Sequence, residues 1–128
     1  MSTCKKSVLV AEDNPVLANV LRFNLQRIEL NVTVANDGAS AWGLAQRQQF
    51  DAVITDQEMP GLTGLELCQR IRGLSEYDDV PILMVTAREI ELDAENLKRE
   101  LGIAAVFAKP YSPNKLVRTV EDLLATTS

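Results

Sequence analysis

Histidine is absent from the 128 residues. Without an imidazole, Ser-His and Cys-His nucleophiles, histidine-ligated zinc and a phosphohistidine carried on this chain are excluded. Cysteine is scarce: Cys4 and Cys68 match neither a disulfide framework nor a thiolate metal site, and both read as reduced thiols. No apolar stretch reaches the ~20 residues of a membrane-spanning helix. Met1 to Lys6 lacks the apolar segment of a signal peptide, so no membrane association is expected and the cytoplasm is the expected compartment. Positive charge is in deficit, with 13 Lys plus Arg against 18 Asp plus Glu, a net charge of -5. That balance opposes a surface built to neutralise nucleic-acid phosphates and favours cations as ligands.

What is present is 46% hydrophobic and 24% charged, the composition of one globular domain spanning 1–128 with a core over about 6–125. Short apolar runs alternate with helical periods. Ser7 to Val10 reads as a strand stopping at Glu12, Asp13 and Asn14. Asn14-Pro15 then caps a helix whose apolar positions are Val16, Leu17, Val20, Leu21, Leu25 and Ile28. Strands follow at Asn31 to Ala35, Asp51 to Asp56, Pro81 to Val85 and Ile103 to Ala108. Helical patterns lie between and after them, at Asp37 to Gln48, Leu65 to Leu74 and Arg88 to Leu101, with a last one around Leu116 to Leu124. The Arg88 to Leu101 segment has a thin apolar stripe of Ile90, Ala94, Leu97 and Leu101. Trp42, Met84 and Phe23 are read as packing residues, and Tyr111 as packing near the final turn.

Strands apolar on both parities, alternating with helices, imply an α/β fold: a doubly wound, five-stranded parallel sheet of the flavodoxin-like (βα)5 kind. Ligands of such sheets sit beyond the carboxyl ends of the strands. There the sequence places Glu12-Asp13 after the first strand, Asp56 at the third, Thr86 at the fourth and Lys109 at the fifth. Two carboxylates about 4 Å apart repel by roughly 4 kcal/mol at an effective dielectric near 20, so such a group needs a cation or a raised pKa. Acids without His or paired Cys suit Mg2+, which takes oxygen ligands and is normally held by one or two carboxylates plus a phosphate. Lys109 adds a cation and Thr86 a hydroxyl donor. The combination points to phosphoryl transfer onto Asp56, giving an aspartyl phosphate.

With these residues in register, the chain resembles a response-regulator receiver domain, CheY-like, from two-component signalling. The resemblance runs from about Lys6 to Leu124 and rests on Glu12-Asp13, Asp56 followed by Met59-Pro60-Gly61 and Gly64, Thr86-Ala87, Lys109-Pro110 and the five β/α repeats. It implies strand order 2-1-3-4-5 and a phosphoryl group accepted by Asp56 from a histidine kinase or histidine phosphotransfer protein. It also implies Mg2+ bound by Asp13 and Asp56 directly, by Glu12 through water and by the backbone carbonyl of Glu58. The Lys109-Pro110 peptide would be cis, and Thr86 would move toward the phosphoryl group. The implied role is a signalling module rather than an enzyme, with self-catalysed phosphoryl transfer and slow autodephosphorylation. The surface formed by the helix over Arg88 to Leu101, the strand at Ile103 to Ala108 and the last helix would control an unknown downstream protein, as a monomer or a phosphorylation-dependent dimer.

One position departs from the family pattern: Val106 stands three residues before Lys109, where an aromatic ring is usual, and Phe107 has the opposite parity. Glu58 and Arg88 border the site and could pair across its entrance to restrict the attacking water; the simpler reading is two solvated side chains, since exposed pairs contribute about 0–1 kcal/mol. Asp51 is read as a turn former. A haloacid-dehalogenase-type phosphohydrolase would carry an Asp at position 58, where Glu stands. A pseudo-receiver working without phosphate would have lost an acidic ligand or the lysine. Neither G-x-G-x-x-G nor a P-loop is present. Little sequence follows the last helix, so no DNA-binding or catalytic effector is expected on this span, which is either a stand-alone receiver or a fragment of a longer protein.

Overall fold

Each apolar run long enough for a strand becomes one, because parallel pairing satisfies its backbone while helices cover both of its faces. The computed structural model describes residues 5–87 and 94–126, except the side chains of residues 94, 95, 97, 98 and 126. The strands are β1 (Ser7–Ala11), β2 (Asn31–Ala35), β3 (Ala52–Asp56), β4 (Ile82–Thr86) and β5 (Ile103–Ala108). The helices are α1 (Pro15–Arg27), α2 (Gly38–Arg47), α3 (Gly64–Arg72), α4 (Ala94–Leu101) and α5 (Pro113–Thr126), with a 3-10 turn at Ser75–Tyr77. All strand pairs are parallel, in the order β2-β1-β3-β4-β5. Chain order reverses beside β1, so the crevice outside β1 and β3 is the place for a site.

The two faces of the sheet carry separate cores. Leu9, Val53, Ile82 and Met84 pack with Leu67, Cys68 and Ile71 of α3 on one side. Val8, Val10, Ile54, Leu83 and Val85 pack with Leu21 and Leu25 of α1 and Leu116 and Val120 of α5 on the other. Trp42 is half-buried against the first core, Tyr111 against the second. Burial pushes the Cys68 thiol up to about 12, which keeps it protonated and unreactive, as its reading as a reduced thiol requires. Cys4 lies outside the described residues.

Helix starts are set locally. Asn14 accepts from the amides of Val16 and Leu17, Asp37 accepts from Ser40, and Thr63 with Glu66 forms a capping box. Only Gly fits at position 64, where a Cβ would lie 2.4 Å from the carbonyl oxygen of Asp56. The first turn of α3 is thereby pressed against the end of β3. At the far end of α3, the Arg72 guanidinium donates to the carbonyls of Leu101 and Gly102, at 2.6 and 3.0 Å, and to that of Tyr77.

The α1 stripe needs correcting. The buried residues of that helix are Ala18, Leu21 and Leu25, whereas Val16 is 68% exposed, Val20 37% and Phe23 63%. At 100° per residue Val16 and Val20 each lie about 160° from Ala18, and small Ala18 marks the packed face. Phe23 is not a core residue either, and its ring carries the Arg27 guanidinium at 5.9 Å. The helix expected over 88–101 is described from Ala94, and its first six residues fall outside the description.

Candidate functional site

The site is built at the carboxyl ends of the strands, from the last residue of β3 and β4 and the residues just past β1 and β5. Glu12, just past β1, donates its amide to the Ala35 carbonyl at 3.0 Å, which holds it in line with the sheet and buries it. Its carboxylate is braced by the Asn14 amide at 3.1 Å. Asp13 follows, exposed. Asp56 ends β3 opposite Val85 of β4 and is 2% exposed. Lys109 follows β5, its amide donating to the Thr86 carbonyl at 2.8 Å, and the Lys109-Pro110 peptide is cis.

These ends converge. One carboxylate oxygen from each of Glu12, Asp13 and Asp56 lies within 4.8 Å of the others. Lys109 Nζ donates to Asp56 Oδ2 at 3.0 Å and lies 3.7 Å from Glu12 Oε1. Asp56 Oδ1 is buried with no hydrogen-bond partner among the described residues. A buried carboxylate oxygen without a protein donor is costly, and beside Glu12 and Asp13 it is suited to serve as a ligand to a cation.

The electrostatics follow from burial. Desolvation raises Glu12 to about 7, against the Asn14 amide and with help from the charge of Asp56. Asp56 is raised by burial as well, although its bond to Lys109 pulls the other way. For Lys109, burial opposes the charged form, but the Asp56 bond and the charges of Asp56, Glu12 and Glu58 outweigh it and leave the ammonium raised. Tyr111 is pushed up to about 12 by burial and then by Glu12 and Asp56, so its hydroxyl stays protonated. One ammonium thus faces two buried carboxylates, with the exposed Asp13 beside them. The set offers only oxygen ligands and one open side, at Asp13, which fits a hard cation such as Mg2+ and not zinc.

Thr86, fully buried at the end of β4, donates its hydroxyl to Glu58 Oε2 at 2.7 Å, and the Ala87 amide donates to Glu58 Oε1 at 2.9 Å. Glu58 is therefore not the solvated side chain of the simpler reading. Its carboxylate bridges the loops after β3 and β4, which the adjacency of those strands puts within reach. Arg88, its expected partner, lies outside the described residues. Val106 packs on the α3 side of the sheet and Phe107 on the α1 and α5 side, so the parity argument holds and no ring stands at the usual place. Asp51 is structural, its Oδ2 accepting from the Ser7 amide at 2.7 Å.

Comparison with known proteins agrees with this geometry. The family model for the response regulator receiver domain matches residues 8–121. The chain is 37% identical over 118 residues to the sensory transduction protein RegX3 of Mycolicibacterium smegmatis, covering 92% of this chain and 50% of that protein. It is 34% identical to the alkaline phosphatase synthesis transcriptional regulatory protein PhoP of Bacillus subtilis, covering 93% and 48%. It spans about half the length of these curated relatives. Among solved structures, chemotaxis response regulator CheY4 of Vibrio cholerae superposes with a TM-score of 0.82 at 30% identity, covering 94% of this chain and 99% of that one. The receiver domain of sensor histidine kinase PA1611 from Pseudomonas aeruginosa, solved with a magnesium ion coordinated in its active-site cleft, gives 0.83 at 31%, covering 95% and 99%. With its five-stranded order, its converging carboxylates and a match over nearly all of its length, the chain belongs to the response regulator receiver domain family of two-component signalling.

Proposed function

We propose that this chain accepts a phosphoryl group on Asp56 from a phosphohistidine on a histidine kinase or histidine phosphotransfer protein. The observation that carries the reading is the divided state of the Asp56 carboxylate, with Oδ2 on Lys109 and Oδ1 buried without a partner among the described residues. An Asp56 oxygen forms the new bond to phosphorus as the phosphorus–nitrogen bond breaks, and the bonding pair stays on the departing imidazole nitrogen. Lys109 and the Thr86 hydroxyl take up phosphoryl oxygens, whose charge is the chief obstacle to the approach of a carboxylate. Asp13 and Asp56 would hold Mg2+ directly, Glu12 through water, and the Glu58 carbonyl would complete the protein ligands. Bound there, Mg2+ supplies charge neutralisation to the phosphoryl oxygens.

The adduct is released by slow autodephosphorylation, and its formation shifts the α4-β5-α5 surface toward a form that a downstream protein reads. No direct nucleic-acid contact is assigned to this span, and the transcriptional role in the name of PhoP belongs to a protein about twice as long. Among the described residues no helix is long and apolar enough to cross a membrane, and the proposed setting is the cytoplasm.

Incubation with acetyl phosphate or phosphoramidate, with and without Mg2+, followed by intact-mass measurement, tests the reading. One phosphoryl adduct that needs Mg2+ and is absent from Asp56→Asn is the expected result. Continuous hydrolysis of phosphate esters would place the chain among phosphohydrolases instead, and partner binding without any adduct would make it a phosphate-independent adaptor.

A further inference from the structure

The donors nearest the acceptor on β4 are already in use. The Thr86 hydroxyl and the Ala87 amide both point at one carboxylate, that of Glu58, one to each oxygen. Two convergent donors held by a strand end form an oxyanion-binding pair, and the anion occupying it belongs to the chain itself. Glu58 also sits close enough for its charge to raise Asp56.

We infer that the Glu58 carboxylate is an internal competitor of the incoming phosphoryl group, bridging Thr86 and Ala87 until the Asp56 adduct displaces it. This rests on Asp56 being the acceptor. A phosphoryl oxygen on Asp56 requires donors on the β4 side, and the Thr86 hydroxyl has only one hydrogen to give. While Glu58 takes that hydrogen, the phosphoryl group cannot have it. Glu58 thereby slows acceptance, and leaves the pair only when an anion of greater charge arrives. The contact joins two loops across neighbouring strands, so its release is sensed on β4 as well as at the acceptor.

The test separates the bridge from simple charge repulsion. Glu58→Asp keeps the charge but is one methylene too short to span both donors, whereas Glu58→Ala loses charge and bridge together; neither alters the backbone carbonyl. Wild type and both variants are phosphorylated with phosphoramidate at saturating Mg2+, the adduct is followed by intact mass, and the Ala87 amide resonance is read before and after. The expected result is acceptance about tenfold faster in both variants, the loss of about 1.4 kcal/mol of competition. The Ala87 resonance should move in unphosphorylated Glu58→Asp and should move in wild type on phosphorylation. If wild type is phosphorylated and Glu58→Asp matches it in rate and in Ala87 resonance, the bridge does not compete, and any gain confined to Glu58→Ala is charge repulsion. Slower acceptance in both variants would mean that Glu58 pre-positions Thr86, and overturns the inference. If wild type takes no phosphoryl group at all, the acceptor assignment fails first and the competition fails with it.

Discussion

Acidic residues crowd both ends of the sheet, and they behave differently. At the carboxyl end, Glu12 and Asp56 are buried, face each other and share the ammonium of Lys109. At the amino end, Asp51, Glu76, Asp78 and Asp79 ring a shallow cleft, all exposed to water. Asp51 there fixes the start of β1 through the Ser7 amide, and Lys6, the cation of that cleft, donates to the Leu124 carbonyl at 2.9 Å. The contrast shows that the number of acids does not make a site. Desolvation does, because carboxylates kept out of water stay charged only with a cation beside them.

The sharpest way to break the contrast is to exchange the ends. Asp56→Asn should remove the phosphoryl adduct entirely, while Asp51→Ala should leave it at wild-type level and cost only about 1 kcal/mol of stability through the lost Ser7 bond; mass measurement and urea titration read the two effects. A smaller effect is expected from the cations. Lys109→Met leaves Glu12 and Asp56 buried without their partner and should lower stability at pH 8, without Mg2+, by about 3 kcal/mol. Lys6→Met, which loses one partly buried hydrogen bond, should cost about 1 kcal/mol. Equal losses in urea titration would mean that burial does not distinguish the ends.

The smallest effect is a slope with pH. Glu12 is raised to about 7 from an ordinary 4.5. Between those values the folded, metal-free protein holds a proton that the unfolded chain has released, so stability falls as pH rises from about 4.5 to about 7 and levels off above. Glu12→Gln should flatten that part of the profile. Asp37, partly exposed and lowered by its capping bonds to Ser40, contributes in the opposite sense: its stabilisation is present above its ordinary value and lost on acidification. A melting-temperature profile of Glu12→Gln that still declines across that interval would remove Glu12 as the cause.

Much of this architecture was legible in the residue pattern. Strand positions from Ser7 to Ala108 follow the apolar runs to within a residue or so, and the stop signals Glu12-Asp13, Asp56, Thr86 and Lys109 fall where the sheet ends. Periodicity works for buried strands because both faces must be apolar. It misplaced part of α1: Leu21 and Leu25 are buried as expected, but Val16 and Val20 face solvent and Ala18 packs instead. It was also blind to contacts made by polar groups across loops. The Glu58 bridge depends on β3 lying beside β4, a fact of topology rather than local pattern. Tyr77 was missed for the same reason: buried in its short turn, it shares its one hydroxyl hydrogen between the Ala45 and Gln48 carbonyls and accepts from the Phe50 amide, contacts up to 32 residues away.

Arg72 gives α3 a reach beyond its own length. The first residue of that helix, Gly64, abuts the carbonyl of Asp56, and its last residue, Arg72, grips the Leu101–Gly102 corner from which β5 sets out toward Lys109. Asp56 and the start of β5 belong to strands that are not neighbours, yet one helix touches both. A movement of α3 would therefore be felt at the acceptor's backbone and at the corner before β5 at once.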